Sequence, residues 1–242
     1  MVGKCGIIFF MPSNWNKGKT KDTDLSVKKI SDTMKSRKLD NFKAWRDKMK
    51  LEGKIKSNYV DLKKNGDLAE LMGVTLGDGH ICKYLRTEEL RIISNSNNSG
   101  FVKRYADLVY KVFGKKAYVR ASNQSNSIRI GLYEKHVGIR LGIPSGARRD
   151  LVIVVPDWIL VKKNYIVRYL RGLYEAEGSF CVHEATYTHK FLFGNRNNSM
   201  LLNVKVLMEK LGFHPYITKD QVQISRKEEV CKAMSLLKFR KY

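Results

Sequence analysis

One nine-residue pattern occurs twice in this 242-residue chain, as LMGVTLGDG at residues 71–79 and as LRGLYEAEG at residues 170–178. In each copy, apolar and small residues fill about two helical turns, and one acid and one glycine follow them. Glycine or alanine recurs at a spacing of four, so each copy, as a helix, carries a stripe of small residues on one face. These small residues are Gly73, Gly77, Gly172 and Ala176. Two such helices can pack with very close backbones, because no side chain separates them.

The acids that end the two copies are Asp78 and Glu177. A pair of closely packed helices places both at carboxyl ends, where the partial negative charge of the helix disfavours an acid. Two neighbouring carboxylates also repel each other. A divalent cation relieves both problems, and carboxylate oxygens are ligands that Mg²⁺ prefers. The paired acids therefore predict a metal site, which is a kind of site that can hydrolyse phosphodiesters. The alternative is two core helices that each end in an acid and a capping glycine.

The sequence after each copy repeats the same order of elements. A strand pattern with alternating apolar residues follows each acid, and a second strand, a helix, a hairpin and a closing helix come next. The two acids are 99 residues apart (177 − 78 = 99). We therefore predict an α+β fold of two pseudo-symmetric αββαββα repeats. Their two antiparallel sheets form a saddle, and a basic helical extension precedes them.

The two nine-residue copies resemble the signature motif of the LAGLIDADG homing endonucleases. The second copy matches closely, whereas the first has Leu76 where the family often has an acid and Gly77 where it has alanine. The metal-binding acid of the motif corresponds to Asp78 and Glu177. Two copies in one chain imply the monomeric, pseudo-twofold type of the family.

This resemblance implies a site-specific endonuclease that cuts both strands of DNA during intron homing. It implies two or more Mg²⁺ ions held by Asp78 and Glu177, with help from the backbone carbonyls of Gly77 and Ala176. Mn²⁺ or Ca²⁺ are expected to substitute in binding. Family members usually add basic or amide residues nearby, and Lys135 and Lys227, each just past the last strand of a repeat, are the candidates for this role.

The charge of the chain indicates a polyanionic partner. It has 46 Lys and Arg against 23 Asp and Glu, a net charge of +23, and an isoelectric point near 9.9. Such an excess points first to nucleic acid and second to an anionic membrane. No apolar run reaches the roughly 18–20 residues that span a bilayer. The apolar residues 5–11 lack a following cleavage-like site, so we reject a signal peptide and expect no membrane partner.

Four scattered cysteines, Cys5, Cys82, Cys181 and Cys231, form no CxxC pair. This spacing argues against structural zinc and for a reducing intracellular compartment, the cytoplasm or an organelle matrix.

Four segments are predicted along the chain. Residues 1–66 hold 17 Lys and Arg against 7 Asp and Glu and form a basic extension, a candidate DNA-binding arm. Residues 67–143 form the first repeat, residues 144–162 a basic, turn-rich linker, and residues 163–242 the second repeat. Within the extension, Asp24 is a candidate N-cap of a short helix.

The strand patterns predict which side chains face away from the core. One face of each sheet is buried under helices, so the other faces water or a ligand. A double-stranded DNA with a long recognition site suits this face, because arginine and glutamine make bidentate contacts to base edges in the major groove. The predicted DNA-binding residues are His80, Tyr84, Arg91, Arg120, Arg129, Ser179, His183, Gln221 and Gln223. Phe180 is predicted to point into the core.

Two other functions remain open on the same scaffold. One is an RNA-binding maturase that assists intron splicing, with intron RNA as the partner. The other is a regulator that binds DNA without cutting it. Both need the basic surface but not the two acids.

Overall fold

The computed structural model describes residues 15–37, 40, 42–55 and 59–242. Residues 5–11, for which a signal peptide is rejected above, lie outside this range, as does Cys5. The chain divides into two units, the first ending at residue 58 and the second spanning Tyr59–Tyr242. The second unit begins before residue 67 because Leu62 is buried in its core and the Val60 carbonyl accepts a hydrogen bond from Arg140.

The described part of the first unit contains two helices, α1 (Leu25–Ser36) and α2 (Lys43–Leu51). Asp24 caps α1, because its side chain accepts hydrogen bonds from the backbone N–H groups of Ser26 and Val27. Neither helix buries a residue. Among the described apolar side chains of this unit, Ile30 and Trp45 are exposed.

The second unit contains the two repeats, and each has the order αββαββα. The first comprises α3 (Gly66–Gly77), β1 (Gly79–Lys83), β2 (Glu88–Asn95), α4 (Ser99–Phe113), β3 (Tyr118–Ala121), β4 (Ser127–Glu134) and α5 (Val137–Leu141). A short helix, α6 (Asp157–Leu160), lies between the repeats, with Pro156 at its N-cap. The second repeat comprises α7 (Lys163–Glu177), β5 (Gly178–His183), β6 (Thr188–Gly194), α8 (Asn198–Lys210), β7 (Tyr216–Ile217), β8 (Gln221–Ile224) and α9 (Lys227–Leu237). The predicted fold is confirmed.

Each repeat contributes one four-stranded antiparallel sheet. The strand orders, β1-β2-β4-β3 and β5-β6-β8-β7, are the same in the two repeats. In the first sheet Ile81 pairs with Leu90, and Leu90 pairs with Leu132, and all three are buried. One face of the sheet therefore packs into the core, and the alternate residues form the opposite, outer face.

The two motif helices, α3 and α7, cross at their glycines. A Cβ atom on Gly73 would overlap the Tyr169 carbonyl oxygen, and one on Gly172 would overlap the Glu70 carbonyl oxygen. A Cβ on Gly77 would overlap the side chain of Ala176. The helix backbones therefore touch along the stripe of small residues, as the spacing of four predicts.

A buried acid joins the helices at the other end of this interface. Glu70 of α3 is fully buried and accepts hydrogen bonds from Arg104 of α4 and Arg168 of α7. The Nε of Arg171 lies 3.7 Å from the same carboxylate. This pairing compensates the burial of a charge, and it ties the two repeats together.

Specific residues set the beginnings of two helices. Asn65 caps α3 by accepting a hydrogen bond from the Leu68 N–H at 2.9 Å, while Asp67 binds Arg168 at 2.6 Å. The short helix α5 begins only at Val137, because Glu134 still belongs to β4.

Among the described residues, no helix combines the length and the apolar character needed to cross a lipid bilayer.

Candidate functional site

The two motif helices end at the acids. Asp78 follows the last residue of α3, and Glu177 is the last residue of α7. The chain then turns back against the final turn of each helix, where a Cβ on Gly79 would overlap Thr75 and one on Gly178 would overlap Tyr174. The glycine after each acid is therefore required by the close approach of helix and strand.

Asp78 and Glu177 are neighbours, and no lysine or arginine side chain of the described residues pairs with either acid. A Cβ on Gly77 would lie 3.2 Å from the Cγ of Glu177, which places the second acid against the end of α3. Burial and, secondarily, the charge of Glu177 raise the pKa of Asp78 to about 7. Burial also raises the pKa of Glu177. Neither carboxylate takes part in an ion pair or side-chain hydrogen bond with a described residue. The pair therefore has the unfavourable electrostatics that the sequence predicts.

Each acid lines one of two clefts beside the helix pair. The first, the Glu177 cleft, has a volume of about 610 Å³ and is also lined by Leu76, His80 and Arg148. The second, the Asp78 cleft, has a volume of about 600 Å³. It is also lined by Ala176, Asn95, Asn126 and Arg240. Both acids are thus reachable from solvent, as a site for a large substrate requires.

The outer face of the first sheet carries the predicted DNA-binding residues of the first repeat. His80 pairs with Arg91, and Arg120 pairs with Arg129, on the face opposite the buried leucines. Arg91 is not free, however: it binds Glu89 at 2.6 Å and also donates to the Tyr84 hydroxyl. Its guanidinium is thereby held in a fixed orientation.

Glu89 is fully buried although it lies on this outer face. It accepts hydrogen bonds from Arg91, Tyr84 and the Tyr118 hydroxyl. These donors outweigh the effect of burial and lower the pKa of Glu89 to about 2. The Tyr118 ring covers Gly131, where a Cβ would overlap it. The alternation of residues along β2 puts Glu89 on the outer face, but nothing in the sequence indicated that aromatic rings would cover this acid.

The second sheet presents its predicted residues on the equivalent face, with two differences. Ser179 and His183 are exposed, and Gln221 is half-buried. Gln223 is buried and donates a hydrogen bond to the Ser225 hydroxyl at 2.6 Å, so the expectation of an exposed glutamine there is corrected. Phe180 pairs with the core residue Phe191 yet remains 39% exposed, because β5 lies at the edge of the sheet.

The two predicted catalytic lysines lie outside the clefts that the acids line. Lys135 directly follows β4, and Lys227 is the first residue of α9. Both lysines are exposed and line neither cleft.

Two arginines that the sequence did not single out occupy the clefts instead. Arg148 comes from the linker and Arg240 from the carboxyl-terminal tail. Each donates a hydrogen bond to the carbonyl of a motif glycine, Arg148 to Gly79 at 2.6 Å and Arg240 to Gly178 at 3.3 Å. The linker sequence showed only a basic, turn-rich segment, so nothing in it indicated this contact.

The pKa of Asp78 predicts a pH-dependent stability. Between its ordinary value of 3.8 and about 7, the folded protein retains a proton that the unfolded chain loses. In the absence of divalent cations, folding stability should therefore fall as the pH rises from about 4 to about 7. We expect Asp78→Asn to be more stable than the wild type by about 1–2 kcal/mol at pH 8 and equal to it near pH 4, since solvent screens part of the full linkage energy.

Urea unfolding in EDTA at the two pH values measures this difference. Asp107→Asn, which removes an exposed acid from α4, is the matched control and should show no such pH dependence. An equal stability difference between Asp78→Asn and wild type at both pH values would contradict the assigned cause.

Comparison with known proteins supports the family resemblance. Residues 164–242 match the family model described as a LAGLIDADG-like domain. A comparison with curated protein sequences found no match. Among solved structures, mesophilic variants of the homing endonuclease I-DmoI are 16% identical, with 71% of this chain and 90% of that chain covered and a TM-score of 0.51. I-DmoI in complex with DNA and Mn is 17% identical, with coverages of 72% and 97% and a TM-score of 0.50.

These structural similarities establish a shared fold. Residues 164–242 are thus identified as a LAGLIDADG-like domain, and the chain shares the fold of these homing endonucleases, with an acid at the end of each of its two motif helices.

Proposed function

We propose that this protein is a divalent-metal-dependent endonuclease that cuts both strands of DNA at a long, specific site. The observation that carries the proposal is the pair of acids at the touching ends of α3 and α7. Asp78 and Glu177 are held together, without a cation from the described chain, beside two open clefts. A divalent cation bound between the two acids would relieve this unfavourable pairing.

The residues at the helix ends fit Mg²⁺. Asp78 and Glu177 offer oxygen ligands, and burial and the charge of Glu177 raise the pKa of Asp78, an effect that a bound divalent cation would oppose. Within the described residues, no group of three or more His, Cys, Asp or Glu side chains is arranged so that it could hold a metal ion. Magnesium suits such a site because it usually retains waters and takes few protein carboxylates together with substrate phosphates. Backbone carbonyls of Gly77 and Ala176 are the nearest further ligands that we propose.

When bound, the cation would activate water and stabilise the charge that develops at the scissile phosphate. The protein's own part is to position that phosphate. The rigid contact between α3 and α7 fixes the two acids relative to each other, and the two sheets present their outer faces on either side. The solved complex of I-DmoI with DNA and Mn supports the same use of this fold here.

The outer sheet faces are the proposed surface for double-stranded DNA. Arg120 and Arg129 face outward on the first sheet, and Arg91 is held by Glu89 in an orientation suited to one base or phosphate. The net charge of +23 supplies long-range attraction to the DNA. We extend this proposal to the basic unit that precedes residue 59, whose α1 and α2 would add phosphate contacts.

A randomised duplex library tests the proposed activity. Duplexes with a randomised central segment are incubated with the protein in Mg²⁺ or in EDTA, and the new ends are captured, sequenced and enriched over several rounds. We expect a defined target cut on both strands in Mg²⁺ and no cutting in EDTA.

Two results would contradict the proposal. Cutting that persists in EDTA would exclude a metal-dependent site. Failure of the folded protein to cut any enriched duplex, with sequence-specific binding retained, would favour a non-cutting DNA-binding protein; tight binding to structured RNA instead would favour a maturase.

A further inference from the structure

Arg148 is fixed by both repeats at once. Its Nη2 donates hydrogen bonds to the carbonyl oxygens of Gly79 at 2.6 Å and Thr75 at 3.0 Å, at the end of α3. Its own carbonyl accepts a hydrogen bond from the Asn197 side chain of the second repeat at 2.7 Å. The carbonyl oxygens at a helix carboxyl end carry partial negative charge, so they hold a guanidinium well.

One end of the Arg148 guanidinium lacks a partner. Nη1 is buried and makes no hydrogen bond, and no ion pair among the described residues involves Arg148. The other arginines around the motif helices, such as Arg104 and Arg168, are paired with acids. A buried donor without an acceptor is costly, and here it belongs to a residue that lines the Glu177 cleft. The geometry thus points to an anionic ligand that enters this cleft.

Arg240 occupies the equivalent place on the other helix. Its Nη2 reaches the Gly178 carbonyl at the end of α7, and its backbone N–H donates to Glu175 at 2.7 Å. Tyr242 also donates a hydrogen bond to Glu175. Arg240 has a φ of 50°, a conformation that non-glycine residues seldom adopt. The backbone of the carboxyl-terminal tail is thus strained at Arg240, which lines the Asp78 cleft.

Each arginine contacts the end of one motif helix and lines the cleft of the acid that ends the other motif helix. Arg148 rests on the end of α3 but lines the cleft of Glu177, which ends α7. Arg240 rests on the end of α7 but lines the cleft of Asp78, which follows α3. Each cleft therefore combines one acid from one motif helix with one arginine anchored on the other. Since 148 and 240 are 92 residues apart (240 − 148 = 92) and the acids 99, the two arginines do not occupy equivalent positions in the sequence repeat.

We infer that Arg148 and Arg240 bind the backbone phosphates of the two DNA strands in separate half-sites, Arg148 with Glu177 and Arg240 with Asp78. This inference rests on the proposed DNA-cutting function. A guanidinium with free N–H groups matches the geometry of a phosphate. Because each arginine serves one cleft, removing one should slow the cutting of one strand only.

Strand-resolved kinetics test this assignment. The duplex selected from the randomised library carries a different label on each strand, and single-turnover cutting is followed in Mg²⁺ at saturating protein. We expect Arg148→Met to slow one strand by about 10²-fold and to leave the other within about twofold, as found when a single transition-state donor is removed. Arg240→Met should do the same to the opposite strand. Arg148→Lys should recover part of the loss, because it keeps the charge but not the forked geometry.

Lys232→Met, which removes one exposed charge from α9, is the matched control and should change neither rate. The thermal unfolding midpoint of every variant is measured beside the rates. Equal slowing of both strands in both arginine variants, or no slowing in either, would overturn the assignment while the cutting function stands.

If the wild type cuts no duplex, the proposed function fails and the phosphate contacts are tested separately. The affinity for a pool of random duplexes is then measured against salt concentration. Each arginine variant should reduce the slope of log K against log salt by about one, and Lys232→Met should not. Unchanged slopes in both arginine variants would overturn the phosphate-binding role.

Discussion

Asp78→Asn and Glu177→Gln are each expected to slow formation of double-strand breaks by about 10³-fold or more, with little loss of DNA affinity. Both substitutions keep the size of the side chain and remove the charge that would hold a divalent cation. They leave the contact between α3 and α7 intact, because neither carboxylate takes part in the glycine crossing. A loss of 10³-fold corresponds to about 4 kcal/mol of transition-state stabilisation, a magnitude typical of charge stabilisation at a reacting centre.

Single-turnover cutting and equilibrium binding on the library-selected duplex separate these effects. Asp107→Asn and Glu228→Gln, which neutralise exposed acids on α4 and α9, are the matched controls and should cut like the wild type. If the two acids act as one site, the cutting rate of the double variant should be at most about tenfold lower than that of the slower single variant. Wild-type cutting by either single variant would remove that acid from the mechanism.

Gly73→Ala and Gly172→Ala are expected to destabilise the fold by about 3 kcal/mol or more. Alanine favours a helix over glycine by about 1 kcal/mol, so propensity alone predicts the opposite sign. Packing decides the outcome here. Each new Cβ would overlap the backbone of the other motif helix, and the helices can accommodate it only by moving apart.

Urea unfolding at pH 7 measures this loss. Gly194→Ala provides the control, because its Cβ would meet only the Asp220 carbonyl oxygen, at 4.0 Å. We also expect the two alanine variants to lose cutting, since separation of the helix ends moves Asp78 away from Glu177. Stability equal to or above that of the wild type would show that the helices do not cross at these glycines.

The helix crossing and the sheet faces were predictable because they depend on short-range periodicity. A spacing of four between small residues defines a helix face, and alternation along β1 and β2 defines the two faces of a sheet. Each of these two signals comes from residues that lie within a few positions of one another in the sequence. Because the nine-residue motif occurs twice, its acid occurs twice, as Asp78 and as Glu177, and this repetition indicated a pair of acids.

The residues that complete the clefts were not predictable in this way. Arg148 and Arg240 reach the motif helices only after the linker and the tail fold back over them, and neither position belongs to a periodic pattern. Lys135 and Lys227 were chosen by their place after a strand, but neither lysine lines the clefts of the two acids. Glu89 had the outward parity of a solvent-exposed acid, and only the packing of Tyr84 and Tyr118 over it explains its burial.

Binding of Mn²⁺ by the protein–DNA complex tests the central assignment most directly. Mn²⁺ is titrated into the complex of the wild type and of the Asp78→Asn/Glu177→Gln double variant with the same duplex, and free Mn²⁺ is measured by electron paramagnetic resonance. The predicted result is tight binding by the wild-type complex that the double variant loses while it still binds the duplex. Equal amounts of tightly bound Mn²⁺ in the two complexes would contradict a metal site between the motif-helix ends.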